Sequence, residues 1–434
     1  MLRPANNPGA NSLWAHTAEA APRLASLDAD IKADVAIVGG GYSGLSAAYS
    51  LQQRGIQAVV LDANPIGWGA SGRNGGVVSA KFRISFPEIA SSYGIETARR
   101  MHRIAHDSVA TVEELVAELG IGSARFERAG NLRCAHTARA ADAIAAEAAW
   151  LRQELGDRAI SVLSRSEVAQ ETGSPVFTGG VLNRDSGTIH PLNYVRGLAA
   201  GLTARKVDIF ENSPVTRIRR EAQGQLLETP GGNVMARQVI VCTDAYSNLT
   251  AATRSFRRTI IPFRSAIIAT DRLPVEVDRK LLVGRRSYTE TRRMMKWFRK
   301  VDDRVIFGGR GAFGKEDAAS AFDALQKAMV ALFPDLAGIE VGFKWSGYVG
   351  MTLDQLPHVG RQDDRTSFCV GYNGAGVAMS SLLGRYAAAF AAGEKPDVAL
   401  LDAARLKAVP FYPLRAPAVR LVAGWYQLLD AIGC

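Results

Sequence analysis

Three glycines, Gly39, Gly41 and Gly44, stand in a G-x-G-x-x-G spacing near the start of the 434-residue chain. Glycines in that spacing can cradle a pyrophosphate. Gly39 lets the chain turn sharply, Gly41 lets a phosphate reach the backbone, and Gly44 lets the next helix pack close to a sheet. The helix start then offers N–H groups and a partial positive charge to the anion. The apolar run from Ala33 to Val38 precedes the turn, and a helical stretch to Leu51 follows it. A second apolar run, Ala58 to Leu61, ends in Asp62, which is placed to accept hydrogen bonds from ribose hydroxyls. Ser43 and Ala63, beside Gly44 and Asp62, fall in the same expected site. With both strands, the helix and the acid in place, the segment reads as a dinucleotide site. The competing reading is a chance glycine-rich turn.

A second glycine-dense stretch follows almost at once, from Gly67 to Gly76. A nicotinamide enzyme usually enters another βα unit at this point, whereas a flavoprotein wraps a loop around the diphosphate and the isoalloxazine ring. Gly67, Gly69, Ala70, Ser71 and Gly72 permit close backbone approach. Arg73 and Asn74 can donate hydrogen bonds, and Gly75 opens a segment able to pass under a ring. The expected cofactor is therefore FAD; the bland alternative is a surface loop. Far downstream, Gly374, Ala375 and Gly376 open a helix at Val377. A helix dipole there would favour the negative charge that grows on the flavin pyrimidine on reduction.

These residues need a sheet to hold them. Apolar content of 47% and charged content of 22% fit a globular chain long enough for two domains. Strands are expected at Val207 to Phe210, Pro214 to Ile218 and Gln238 to Ala245, with a hairpin from Leu226 to Ala236 around Pro230 to Asn233. Helices are expected from Ile95 to Leu119 and from Ala138 to Leu155, and a third begins near Pro191. Strand-like runs alternate from Thr259 to Phe307, and a helix follows from Ala318 to Leu332. The fold class is α/β: a Rossmann-type FAD-binding domain (a glutathione-reductase-like βαβ) plus an α+β substrate domain with an antiparallel sheet. The expected division is an N-terminal arm over 1–32, a discontinuous FAD-binding domain over 33–90, 170–250 and 341–400, a cap over 91–169 and 251–340, and a tail over 401–434.

The formal charge of +10 suits an anionic partner or a bias toward arginine. No nucleic-acid module is recognisable. Four separated cysteines and six scattered histidines suggest no disulfide framework and no metal site. The absence of a secretory leader or long apolar span points to the cytoplasm. The tail from Phe411 to Ile432 mixes arginine, aromatic and aliphatic residues, which suits either an acidic membrane surface or docking on the protein itself.

On these motifs the chain resembles the D-amino-acid-oxidase-like family of FAD-dependent oxidoreductases, and within it the γ-glutamylputrescine oxidoreductase branch. The resemblance runs from Ala33 to Ala391, and the Gly69 to Gly76 octet is its most specific stretch. Further matching blocks are Gly187 to Leu192, Val239 to Tyr246, Asp303 to Arg310, Trp345 to Gly360 and Gly371 to Val377. The resemblance implies that Gly39, Gly41 and Gly44 hold the diphosphate and Asp62 the ribose. It implies that Ser71, Arg73, Asn74 and Gly75 line the diphosphate and ring, Val215 touches adenine, and Thr243 closes the back of the site. Gly374, Ala375 and Gly376 would face the pyrimidine edge. Ala375 departs from the branch, which usually carries histidine or another polar residue there.

Flavin amine oxidation by hydride transfer to N5 needs positioning more than acid–base machinery, and its imine product hydrolyses in water. Candidate substrate-side residues are His190, Lys296, Arg310 and Trp345. His190 could sit near the ring or simply start a helix. Lys296 could assist dioxygen or be solvated, with Trp297 and Arg299 on the opposite strand face. Arg310 could clamp a carboxylate. Trp345 and Tyr348 could wall in an amine, with core packing the alternative for Trp345. The expected substrate is γ-glutamylputrescine or a related amine, with oxygen or a quinone as electron acceptor. The rivals are an amino-acid or N-methyl-amino-acid oxidase or dehydrogenase, and a non-catalytic flavin-binding subunit.

Overall fold

The computed structural model describes residues 11–310 and 319–431. Two eight-stranded sheets organise the chain. In the first, the strand Ile31–Val38 lies between Ala58–Leu61 and Asn233–Val241, parallel to both. Ala58–Leu61 pairs in parallel with Asp208–Phe210, and Asn233–Val241 with Thr366–Val370. Val35 to Val38 are buried, as the unbroken apolar run requires for a strand covered on both faces. The expected hairpin and the following strand are one element. Asn233–Val241 runs antiparallel to Gly224–Glu228 at its start and continues parallel to Ile31–Val38. The strand expected at Pro214 to Ile218 forms instead at Arg217–Glu221.

The helix Tyr42–Gln53 packs against Gly376–Ala391 at short range. A Cβ on Gly384 would lie 2.2 Å from the Ser43 carbonyl oxygen, so only glycine allows this approach. The helix Ile95–Glu118 also packs against Gly376–Ala391.

The second sheet runs in the order Val341–Met351, Ile261–Thr270, Arg304–Arg310, Lys296–Val301, Ser287–Glu290, Asn131–Ala135, Gly179–Asn183 and Ile160–Leu163. All neighbours are antiparallel except Ser287–Glu290 with Asn131–Ala135. Phe298 stacks against Phe177, Tyr288 and Phe307 beneath the helix Ala319–Leu332, giving this sheet its own core. Val341–Met351 and Gly179–Asn183 fall in stretches expected for the FAD-binding domain, and they pair in this sheet. Their cross-strand partners are residues 261–270, 131–135 and 160–163, which no periodicity in one chain reveals.

The arm docks through Trp14, which is fully buried. Its indole N–H donates to the Asn74 carbonyl over 2.8 Å, and its ring meets His190 and Trp345 edge-on.

Candidate active site

The chain turns at Gly39 with φ of +107°, where a Cβ would press to 3.0 Å from the Cys242 carbonyl oxygen. A Cβ on Gly44 would lie 1.9 Å from the Gly39 carbonyl oxygen, so the helix can enter the turn only with glycine there. No side chain caps the helix at Gly41. Asp62 accepts from the Gly40 amide at 2.7 Å and from the Asn64 amide at 2.9 Å, one bond to each carboxylate oxygen. Each oxygen keeps a lone pair for a ribose hydroxyl. Burial pushes the Asp62 carboxyl up to about 6, against those amides, which favour its charged form.

The second glycine-rich stretch folds over the same turn. The Ser71 hydroxyl accepts from the Tyr42 amide at 3.1 Å. The Asn74 side chain ties the loop to itself, donating to the Ala70 and Ser71 carbonyls. The guanidinium of Arg73 lies over the Trp68 ring, 4.7 Å from its centre. Gly75 faces Trp297 so closely that a Cβ would lie 2.4 Å from its ring. Arg299, buried behind this loop, donates to the carbonyls of Gly76 and Ile189 at 2.7 and 3.0 Å. Burial draws its guanidinium down to about 10, which leaves it charged.

A cavity of 1320 Å³ opens from this turn. Gly39, Gly41, Ser43, Asp62, Ala63, Ser71, Arg73, Asn74, Gly75, Val215, Thr243, Gly374, Ala375, Gly376 and Val377 all line it. Gly44 stands just behind it and sets the close packing. Asp244, absent from the sequence expectations, anchors the far wall: at φ of 41° its carboxylate accepts from the Gly371 amide at 2.7 Å. Burial raises that carboxyl, opposed by the amides of Gly371, Ala245 and Gly350. The result is a long cradle whose backbone amides, glycines and terminal carboxylate fit a dinucleotide. Gly39, Gly41 and Gly44 would hold its diphosphate, Asp62 its ribose, and the Gly374–Gly376 turn its far ring.

The substrate-side residues separate. His190 does not line the cavity. Its Nδ1 accepts from the Asn193 amide as the cap of the helix Pro191–Ala204, and its Nε2 lies 3.0 Å from the Thr17 hydroxyl. Burial, reinforced by Arg299, lowers the imidazole to about 4, so it is neutral. Trp345 is also a framework residue: it is fully buried and donates to the Arg73 carbonyl at 2.8 Å. Lys296 lies on the strand face turned from the cavity, over Gly309, whereas Trp297 lines it. Arg310 ends the strand Arg304–Arg310, and its side chain lies outside the described residues.

Tyr348 lines the cavity in a T-shaped contact with Tyr246, 5.8 Å between ring centres, and Tyr246 meets Trp68 at 5.6 Å. From the second sheet, Glu290 and Arg292 face the same space as an ion pair. The Lys296 amide donates to Glu290 at 3.0 Å, and burial raises the Glu290 carboxyl against the pull of Arg292. Sequence reasoning missed Glu290 because nothing nearby in the chain marks it. The tail helix Arg415–Ala431 also contributes to the wall, through Arg415, Ala418, Val419, Val422 and Tyr426. Among the described residues no helix is long and apolar enough to cross a membrane.

The fold and cradle are those of a dinucleotide-binding protein, and comparison with known proteins identifies the class. The FAD dependent oxidoreductase (DAO) family matches residues 34–390, and the chain belongs to that family. It is 29% identical to the γ-glutamylputrescine oxidoreductase of Escherichia coli strain K12, over 98% of this chain and 99% of that protein. It is 30% identical to a Rhizobium meliloti protein named "Probable oxidoreductase OrdL", over 92% of each. In fold it resembles the glycine oxidase of Geobacillus kaustophilus, with a TM-score of 0.72 at 21% identity, over 84% of this chain and 96% of that one. The chain is an FAD-dependent oxidoreductase.

Proposed function

We propose that this enzyme oxidises an amine at a C–N bond, and that its substrate is a γ-glutamylated diamine or a related amine bearing a carboxylate at its far end. The observation that carries this reading is the pairing of opposite recognition chemistries in the cavity that begins at the dinucleotide turn. Tyr246 and Tyr348 bring aromatic rings to the cavity, and such rings attract an ammonium group. Arg292 and Arg293 bring guanidinium groups, which suit a carboxylate. A substrate with a cation at one end and a carboxylate at the other satisfies both. The similarity to the E. coli γ-glutamylputrescine oxidoreductase supports the same choice.

Bound FAD supplies the hydride acceptor for the carbon next to nitrogen, and the resulting imine hydrolyses in water. The chain's own residues bind and orient. The amine must be neutral before hydride leaves. Glu290, ion-paired with Arg292 and accepting from the Lys296 amide, holds that guanidinium toward the substrate's carboxylate, and the ammonium proton leaves to water. Trp297 over Gly75 and the tail helix limit access of bulk water.

Anaerobic mixing of the yellow holoenzyme with amines and amino acids tests the reading by bleaching of the flavin band. Fast bleaching by γ-glutamylated diamines is expected. Bleaching by α-amino acids alone would replace the reading with an amino-acid oxidase or dehydrogenase, and no bleaching at all would point to a non-catalytic flavin subunit. Following oxygen consumption against quinone reduction then identifies the electron acceptor.

A further inference from the structure

Away from the cofactor cradle, the helix Ile95–Glu118 presents His102 and His106 one turn apart beside Asp157, which follows the helix Ala138–Glu154. His102 Nε2 lies 3.0 Å from His106 Nε2 and 3.0 Å from Asp157 Oδ2, and His106 Nε2 lies 3.7 Å from the same oxygen. These contacts set a puzzle of protons. His106 Nδ1 faces Asp185 Oδ2 at 3.2 Å, so its proton belongs on Nδ1. In the neutral ring, Nε2 then carries only a lone pair. If His102 bears a proton on Nε2, that one proton must serve two acceptors. If it does not, its lone pair meets the Asp157 carboxylate head-on. A second proton on His106 lets both rings donate to Asp157, but His106 does so only over 3.7 Å, and two N–H groups then stand 3.0 Å apart.

A divalent cation resolves this, because three lone pairs then point at one positive centre. A point equidistant from the three atoms lies about 2 Å from each, the length of zinc–nitrogen and zinc–oxygen bonds. Two imidazoles and a carboxylate are ligands of borderline-soft metals, with water to complete a tetrahedron. The outer partners fit as well. Asp185 holds His106 in the tautomer that frees Nε2, the arrangement that orients metal-bound histidines. Arg128 Nη1 lies 3.5 Å from the other Asp185 oxygen. Asp157 also lines the main cavity, which offers the ion a way in.

We propose that His102, His106 and Asp157, oriented by Asp185, form a site for one zinc-class divalent cation. The site joins the long helix of the FAD side to the loop that leads into the second sheet at Ile160–Leu163. It does not depend on which amine the enzyme oxidises.

The test uses the FAD-loaded full chain, stripped with a chelator and titrated with Zn²⁺ or Co²⁺. One equivalent per chain after gel filtration is expected, and Co²⁺ should add visible bands to the long-wavelength side of the flavin band. His106→Gln and Asp157→Asn should each weaken binding at least 100-fold, and Asp185→Asn about 10-fold. His16→Ala, outside the cluster, should leave it unchanged. Flavin occupancy reports that each variant is folded. Failure to bind an equivalent at micromolar free metal, or equal binding by folded His106→Gln, would overturn the proposal and leave the cluster a protonated ion-pair network.

Discussion

At the scale of single residues, the cofactor turn is governed by what cannot be added to it. Gly44→Ala would set a methyl 1.9 Å from a backbone oxygen that has no room to retreat. The variant should purify with FAD occupancy reduced at least tenfold, read from the ratio of flavin to protein absorbance. Asp62 gives a pH dependence. Its carboxyl is raised to about 6 in the FAD-free protein, and ribose hydroxyls favour the charged form. FAD affinity should therefore rise from pH 5 to pH 7, with a proton released on binding at the lower end, and Asp62→Asn should flatten the profile in a fluorescence titration. His190 acts on stability. Its folded value of about 4 lies below that of a free imidazole, so between pH 6.5 and 4 only the unfolded chain takes up the proton. Stability should fall with acidity over that window, by up to about 3 kcal/mol. Asn can keep the helix cap without titrating, so denaturant curves of His190→Asn should lose that slope. On the substrate side, Glu290→Gln should raise KM for a carboxylate-bearing amine about tenfold while changing kcat less than about twofold, read by steady-state kinetics, because Arg292 loses the partner that holds it. The glycines and Asp62 were legible because backbone geometry demands particular residue types. Glu290 was not, because a buried carboxylate in a strand carries no local mark.

At the scale of elements, the first βαβ unit could be read almost residue for residue, since it is built from contacts close in the chain. The helix Gly376–Ala391 was likewise expected within one residue, marked by its preceding glycines. Longer reach defeats this reading. Trp14, in the arm, ties down Asn74 in the flavin loop and packs on Trp345 and His190. Trp14→Ala should cost about 3–5 kcal/mol in denaturant unfolding and also loosen FAD, since the removed ring leaves a cavity behind that loop. Trp345 and Tyr348 show the complementary limit. They lie three residues apart on one strand, so the pleat turns them to opposite faces, and only the packing of the strand Val341–Met351 settles which face is core and which lines the cavity.

At the scale of the whole molecule, the site is a space between two sheets, closed in part by the tail. Removing residues 411–434 takes away a wall that includes Leu414, Val419, Val422 and Tyr426. Iodide should then quench bound-flavin fluorescence several-fold more effectively, and an unchanged quenching constant would show that the tail does not shield the site. The dinucleotide turn, the acid after the second strand and the parallel sheet around them were readable from local spacing, backbone freedom and strand periodicity, and the FAD family from the resemblance of the motif blocks. Packing of the folded chain was needed to show that Val341–Met351 joins the second sheet, that His190 is a cap, and that Tyr246, Tyr348, Glu290 and Arg292 share one cavity. It alone brought Asp157 to His102 and His106, a metal-binding geometry that the scattered histidines of the sequence did not suggest. Such groupings depend on which distant strands pair and which helices touch, and those choices are made by packing of the whole chain rather than by the preferences of any one segment.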